Sequence, residues 1–268
     1  MTQAAIVPSI ASARRTIGMR AAQHIDLTFR EMMSGQGAEA GDGYLRMVTG
    51  EPHPLGNVAI VSEPSELRTT TAAIAPLLAC RVPTSVLFPN GLSGAVNQSL
   101  LSSGYESVGA IPAMAVDLDR LAATALPAGY DWTRIGDGDD GRAWTDAFAA
   151  GYEIPRGLAR LFSPECLGVD MAPDAKFQFF AIHHNGRLVA TSLMYLADGL
   201  AGIYCVATLA DERGKGLGAH ITAEPLRIAQ RRGYRVGILQ SSAAGHRVYK
   251  RLGFADFASV PMFVRMPN

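Results

Sequence analysis

Three glycines fall within five residues, Gly214, Gly216 and Gly218, between a polar turn and a segment with helical apolar spacing at Leu217, Ile221 and Ile228. The apolar run Ile203 to Val206 precedes them and reads as a strand. Strand, glycine-rich turn and helix in that order bring several backbone N–H groups to one point, with the positive end of a helix behind them. That arrangement binds phosphate. It is not a P-loop, because no Ser or Thr follows Lys215 where the magnesium ligand must stand. Gly214, Gly216 and Ala219 spell G-x-G-x-x-A, but the dinucleotide fingerprint also needs an acid about 20 residues on to hold a ribose. There is no Asp or Glu between Pro225 and Ala255.

Arg213, Gly216 and Gly218 also satisfy [QR]-x-x-G-x-[GA], and here the sequence resembles the GNAT superfamily of N-acetyltransferases. The resemblance implies that the turn, Arg213, Gly214, Lys215, Gly216, Leu217, Gly218 and Ala219, holds the pyrophosphate of acetyl-CoA. It places a donor N–H for the thioester carbonyl at Val206 and a pantetheine contact at Thr208. Val248-Tyr249-Lys250-Arg251-Leu252-Gly253-Phe254 resembles the family's Y-x-x-x-G-F, which makes Tyr249 the proton donor to the leaving thiolate. Ser242 stands seven residues earlier, where the family often has asparagine, and is taken as a further cofactor contact. Helical spacing predicts a buried seam of Ala244, Val248 and Leu252, with Tyr249 one step round at its edge. His183, His184, Tyr204, Glu153 and Glu212 all remain open as general base. Acetyl-CoA is expected as cosubstrate, with no metal.

Elements that could position these residues alternate along the chain. Apolar patterning predicts helices over Ile10–Met33, Glu66–Cys80, Gly94–Ser102, Asp139–Tyr152 and Arg156–Phe162, with a Gly-rich loop over Ser34–Gly43. Strands are expected at Tyr44–Thr49, Val58–Val61, Ser85–Phe88, Ser107–Leu118, Tyr130–Ile135, Phe177–His184 and Arg187–Leu196, the last two joined by an Asn185-Gly186 hairpin signal. After the glycine turn come a helix to Arg232, a strand Val236–Gln240, a helix Ala243–Leu252 and a strand Asp256–Arg265.

Setting residue n beside n plus 149 pairs Gly50 with Gly199, Pro76 with Pro225, Gly104 with Gly253, Tyr105 with Phe254 and Pro112 with Pro261. A proline inside a helical pattern is an irregularity, and its recurrence in both halves argues for duplication. The expected fold is therefore α/β, an α+β mixed sheet: two tandem GNAT-like domains, residues 1–125 and 130–268, each a mixed, mostly antiparallel sheet flanked by helices. In the first half Leu100 replaces Tyr249, and Pro64-Ser65-Glu66-Leu67-Arg68-Thr69 replaces the glycine turn. The N-terminal domain is thus expected to be degenerate, without a cofactor site, walling the acceptor site or stabilising its partner. That architecture resembles mycothiol synthase.

The 268 residues carry zero net charge, so no overall field favours nucleic acid or a membrane surface. From Arg213 to Arg251, however, nine Lys or Arg face one acid, Glu224, which could rim a phosphorylated cofactor. Three cysteines without metal-ligand spacing and no long apolar segment suggest the cytoplasm. The expected function is N-acetylation of a small-molecule amine by direct attack in a ternary complex, with self-association into a homo-oligomer left open. The rival is a non-catalytic CoA-binding sensor or scaffold.

Overall fold

The computed structural model describes residues 24–33, 37–63, 67–136 and 141–267. The predicted segments Ile10–Met33, Ser34–Gly43, Glu66–Cys80 and Asp139–Tyr152 each fall partly outside them, as do Pro64, Ser65 and Glu66 of the first half's counterpart to the glycine turn. The described elements run in order: helix α1 (24–33), strands β1 (Glu39–Gly41), β2 (Tyr44–Val48) and β3 (Asn57–Val61), helix α2 (Leu67–Leu78), β4 (Thr84–Leu87), α3 (Gly94–Ser102) and β5 (Glu106–Asp117). Then follow β6 (Tyr130–Arg134), α4 (Gly141–Tyr152), α5 (Arg156–Leu161), α6 (Pro164–Leu167), β7 (Phe177–His184), β8 (Arg187–Ala197), β9 (Leu200–Thr208), α7 (Leu217–Arg231), β10 (Val236–Gln240), α8 (Ala243–Arg251) and β11 (Ala255–Arg265). Strand β1 lies inside the segment read as a loop; it is three residues long and mostly exposed, so it carries no apolar alternation to betray it.

All eleven described strands form one mixed sheet in the order β1-β2-β3-β4-β11-β5-β10-β9-β8-β7-β6. Only β3 with β4 and β9 with β10 pair in parallel; the other ladders are antiparallel. The two halves exchange their last strands. β11 lies on β4 of the first half, β5 lies on β10 of the second, and β5 and β11 pair with each other through the centre, Ala255 opposite Ala115 and Val264 opposite Glu106. The repeat spacing survives in three dimensions, since α3 and α8 are related by it residue for residue, and α2 and α7 both carry their proline inside the helix. Pro112 and Pro261 play matching parts: the first accepts from Ser241 N–H at 2.9 Å and the second from Phe88 N–H at 3.1 Å, each just past a parallel strand.

Alternation along the strands loads both faces of the sheet. Ala59 and Val61 pack with α2 residues Ala73, Ile74 and Leu77, whereas Val58 and Ile60 pack with Ile25 and Met33 of α1. In the second half Trp144 of α4 meets Phe179 edge to face, while Ser192, paired with the next residue Phe180, donates to the Ile221 carbonyl of α7. α4 and α7 therefore cover opposite faces. Among the described residues no helix is long and apolar enough to cross a membrane.

Candidate active site

The site forms where β9 and β10 part. Their parallel pairing covers only Leu200–Gly202 against Val236–Ile238, although β9 runs on to Thr208 and β10 to Gln240. In the diverging part of β9 the ladder with β8 shifts register. Thr191 pairs with Ala207 and Leu193 with Tyr204, so that Cys205 and Val206 together oppose Ser192. This is a β-bulge, and Cys205 is bent to φ 52°, a region costly for a residue with a Cβ. The bulge leaves Val206 without a paired position, and Val206 lines the cavity that opens between the strands.

At the far end of β9 the glycine turn enters α7. Gly214 and Gly216 have φ of 82° and 85°, and Gly216 occupies the N-cap position with no side chain capping the helix. A Cβ built on either glycine would meet nothing within 4 Å, so the space over the turn is open and the first amides of a 15-residue helix face it. These features fit a pyrophosphate. Leu217 is buried and anchors the helix, Gly218 and Ala219 are half-buried, and a Cβ on Gly218 would lie 3.9 Å from Thr208 Oγ1. Arg213 ties the turn down, donating to the carbonyls of Thr208 at 3.2 Å and Gly151 at 3.0 Å and pairing with Glu153.

Lys215 does not project freely. Its Nζ donates to Glu212 at 2.6 Å and to the Tyr130 hydroxyl, and Glu212 also accepts from Tyr130 at 2.6 Å and lies 3.1 Å from His184 Nδ1. These bonds, Lys215's foremost, then Tyr130's and His184's, hold the Glu212 carboxyl down to about 2. The Tyr130 ring stacks on His184 at 4.2 Å. The cluster braces the turn, a role that spacing alone could not reveal because Tyr130 and His184, opposite each other on β6 and β7, lie 82 and 28 residues from Glu212 in sequence.

Tyr249 lies on the other wall of the opening. It is 8% exposed, while Ala244 is exposed and Val248 half-buried, so the predicted seam is corrected: α8 turns Tyr249 itself inward. The reason is local. A Cβ on Gly245, one turn earlier, would stand 2.9 Å from the Tyr249 ring, so only glycine leaves the ring room to fold back along the helix, and Phe254 meets it edge on at 5.9 Å. Burial pushes the phenol up to about 12, partly offset by a hydrogen bond with Thr222. Ser242 lines the same cavity, and its hydroxyl accepts from Gly245 N–H at 3.1 Å as the N-cap of α8.

The cavity encloses about 780 Å³ and brings Val206, Ser242 and Tyr249 together; Thr208 and the turn lie outside its lining. Of the five candidate bases only Tyr204 lines it. Burial pushes that phenol well above its usual range, with the Tyr204 hydroxyl 3.1 Å from Thr28 Oγ1 and 3.2 Å from His24 Nδ1, so it is a donor rather than a base. Burial holds His24 down, to about 4, and therefore neutral. Sequence reading missed His246, which lines the cavity one turn before Tyr249 and has Nε2 2.8 Å from Asp256. Its i, i+3 spacing from Tyr249 was the available signal. Tyr152, at the end of α4, also lines the cavity.

The site thus joins a bulged strand, parted from its parallel neighbour, to a helix start that no side chain caps. The sequence model of the acetyltransferase (GNAT) family matches residues 144–254, from Trp144 in α4 to Phe254 just past α8. Two solved structures share the fold over most of both chains. A GCN5-related N-acetyltransferase from Kribbella flavida has TM-score 0.62 at 18% identity, covering 91% of this chain and 95% of that one. Another from Sphaerobacter thermophilus has TM-score 0.61 at 17% identity, covering 87% and 83%. A tandem GNAT protein from the clavulanic acid biosynthesis pathway is similar at TM-score 0.51 and 15% identity, over 79% and 75%. No curated protein matches the chain.

Proposed function

We propose that the protein is an acetyl-CoA-dependent N-acetyltransferase acting on a small-molecule amine by direct attack in a ternary complex. Residues 130–268 form its catalytic domain, and residues 1–125 form a degenerate GNAT-like domain without a cofactor site, an arrangement like that of mycothiol synthase. The observation that carries the reading is the convergence of Val206, left unpaired by the bulge, and the buried Tyr249 phenol on one cavity between parted parallel strands. Acetyl-CoA, when bound, supplies the activated acetyl group.

In this reading the amides of Gly214 to Ala219 hold the pyrophosphate, Arg213 fixes the turn, and Thr208 and Ser242 flank the pantetheine. Lys215 adds positive charge beside the turn while braced by Glu212. The Val206 N–H donates to the carbonyl oxygen as it gains charge, and a donor fixed in a bulge needs no reorganisation to do so. Tyr249 gives its proton to the departing sulfur. His246 is the one described cavity side chain with a basic nitrogen, and oriented by Asp256 it takes the proton released by the attacking amine.

Titration calorimetry with acetyl-CoA, paired with an assay of CoA release over a panel of amines, tests the reading. Binding with amine-stimulated release is expected. Binding without turnover on any amine would make the protein a CoA sensor or scaffold, and no binding would remove the cofactor assignment altogether.

A further inference from the structure

The cavity is chemically lopsided. Among the described residues, every polar side chain that lines it comes from the second half: Tyr204 on β9, Gln240 on β10, Ser241 and Ser242 after it, His246 and Tyr249 on α8, with Tyr152 on α4. The described residues of the first half that line it have apolar side chains, including Met33 of α1, Leu55 before β3, Val58 and Ile60 of β3, Leu87 of β4 and Ile111 of β5. Among the described lining residues there is no Asp, Glu, Lys or Arg. The apolar wall continues the core beneath α1, where Ile25, Met33, Val58, Ile60 and Leu87 pack together.

A wall of this kind selects by burial and by the cost of charge. An apolar body placed against it leaves water, which is favourable in proportion to its area. A second ammonium or a hydroxyl-rich ring placed there would lose its hydration with no carboxylate to replace it. The volume of about 780 Å³ is also far more than an acetyl group and one nitrogen need.

We propose that the acceptor is an amphipathic amine: one reactive nitrogen on an apolar aliphatic or aromatic body, the body lying against the wall built by the first half. This deepens the transferase reading and rests on it. The neutral nitrogen forms the new N–C bond as the C–S bond breaks; the thiolate takes the Tyr249 proton, His246 takes a proton from nitrogen, and that proton returns to Tyr249 through solvent. The products are the N-acetylated amine and free CoA.

The test is a homologous series. Acetyl transfer is measured for n-alkylamines from propyl to octyl and for phenethylamine, against 1,8-diaminooctane, spermidine and kanamycin, and binding of the same amines to the protein saturated with CoA is measured by calorimetry. Octanoyl-CoA replaces acetyl-CoA in a parallel arm. Each added methylene is expected to raise kcat/KM about two- to fourfold. 1,8-Diaminooctane is expected to fall at least about tenfold below octylamine. Leu55→Glu and, independently, Ile111→Ser are expected to flatten the series, with CoA affinity in the same titration reporting that each variant is folded.

Tighter binding of longer amines without transfer would support the acceptor class while defeating the transferase reading. Transfer that ignores chain length, or favours spermidine or kanamycin, would overturn the inference and leave the transferase standing. Preference for octanoyl-CoA with short amines would assign the wall to the acyl chain and overturn it too, as would the absence of both binding and transfer, or a folded variant at either position that keeps the full gain.

Discussion

Replacing Tyr249 by Phe separates chemistry from structure, because only one oxygen is removed. The ring stays 8% exposed against Phe254, and Gly245 still makes room for it. The lost hydroxyl bonds Thr222, whose own Oγ1 also donates to the Gly218 carbonyl at 2.8 Å, so no buried partner is stranded. The stability cost is then that of one ordinary hydrogen bond, about 0.5–1.5 kcal/mol. Against a typical total of about 5–15 kcal/mol this leaves the protein folded at 25 °C. Catalysis should suffer more. With its phenol pushed up to about 12, Tyr249 is protonated throughout the neutral range, and loss of a general acid is expected to lower kcat by about ten- to a thousandfold. In free energy that is about 1.4–4 kcal/mol at the transition state. CoA release is measured at saturating acetyl-CoA and amine, alongside a thermal melt and an acetyl-CoA titration. Expected are a melt lowered by a few degrees, nearly unchanged cofactor affinity and the stated fall in kcat. A variant whose kcat stays within about threefold of wild type across the neutral range would refute the general-acid role.

His246→Gln should lower kcat about tenfold or more while leaving acetyl-CoA affinity alone; an unchanged kcat would exclude His246 as proton acceptor. Glu212→Gln tests the brace under the turn. The folded-state carboxyl is held at about 2 against an ordinary 4.5, so its stabilisation is complete above about pH 4.5 and lost as pH falls towards about 2. Urea melts should therefore show the gap between wild type and Glu212→Gln closing on acidification through that window, and a gap that stays constant would contradict the network. Residues 126–268 expressed alone should aggregate, because β10 loses β5, and β11 loses both β4 and β5; co-expression with residues 1–125 should restore solubility, and a soluble monomeric fragment would count against the strand exchange.

What was legible beforehand was local. The glycine turn, the strand before it and the helix carrying Tyr249 are set by residues close in sequence, and α8 begins at Ala243 as its spacing indicated. The duplication was legible through its irregular prolines. The seam of α8 was misplaced because helical periodicity alone does not say which face a neighbour covers, and here the glycine at 245 admits a ring the pattern would have left at the edge. Lys215, counted in the sequence among the basic residues that could rim a cofactor, is instead paired with Glu212 three residues before it and with Tyr130 of β6, a partner that only the sheet brings to it. The cavity was invisible for the same reason, since its lining side chains come from both halves of the chain.

The strand exchange ties the two halves of the chain into one sheet. Duplication creates two equivalent sheet edges, at β4 and β10, and two equivalent strands to fill them, and nothing in the alternation of β5 or β11 says which edge each will choose. Exchange lets one central ladder satisfy both edges. It also reaches the site. Ser241 N–H donates to the Pro112 carbonyl at 2.9 Å, so a residue of the first half fixes the loop in which Ser242 caps the helix of Tyr249. The matching bond between Phe88 and Pro261 serves a half that has Leu100 where the acid would stand. The backbone bonds thus match in both halves, and in the transferase reading proposed above the helix of Tyr249 is positioned by a strand from the half that has Leu100 in its place.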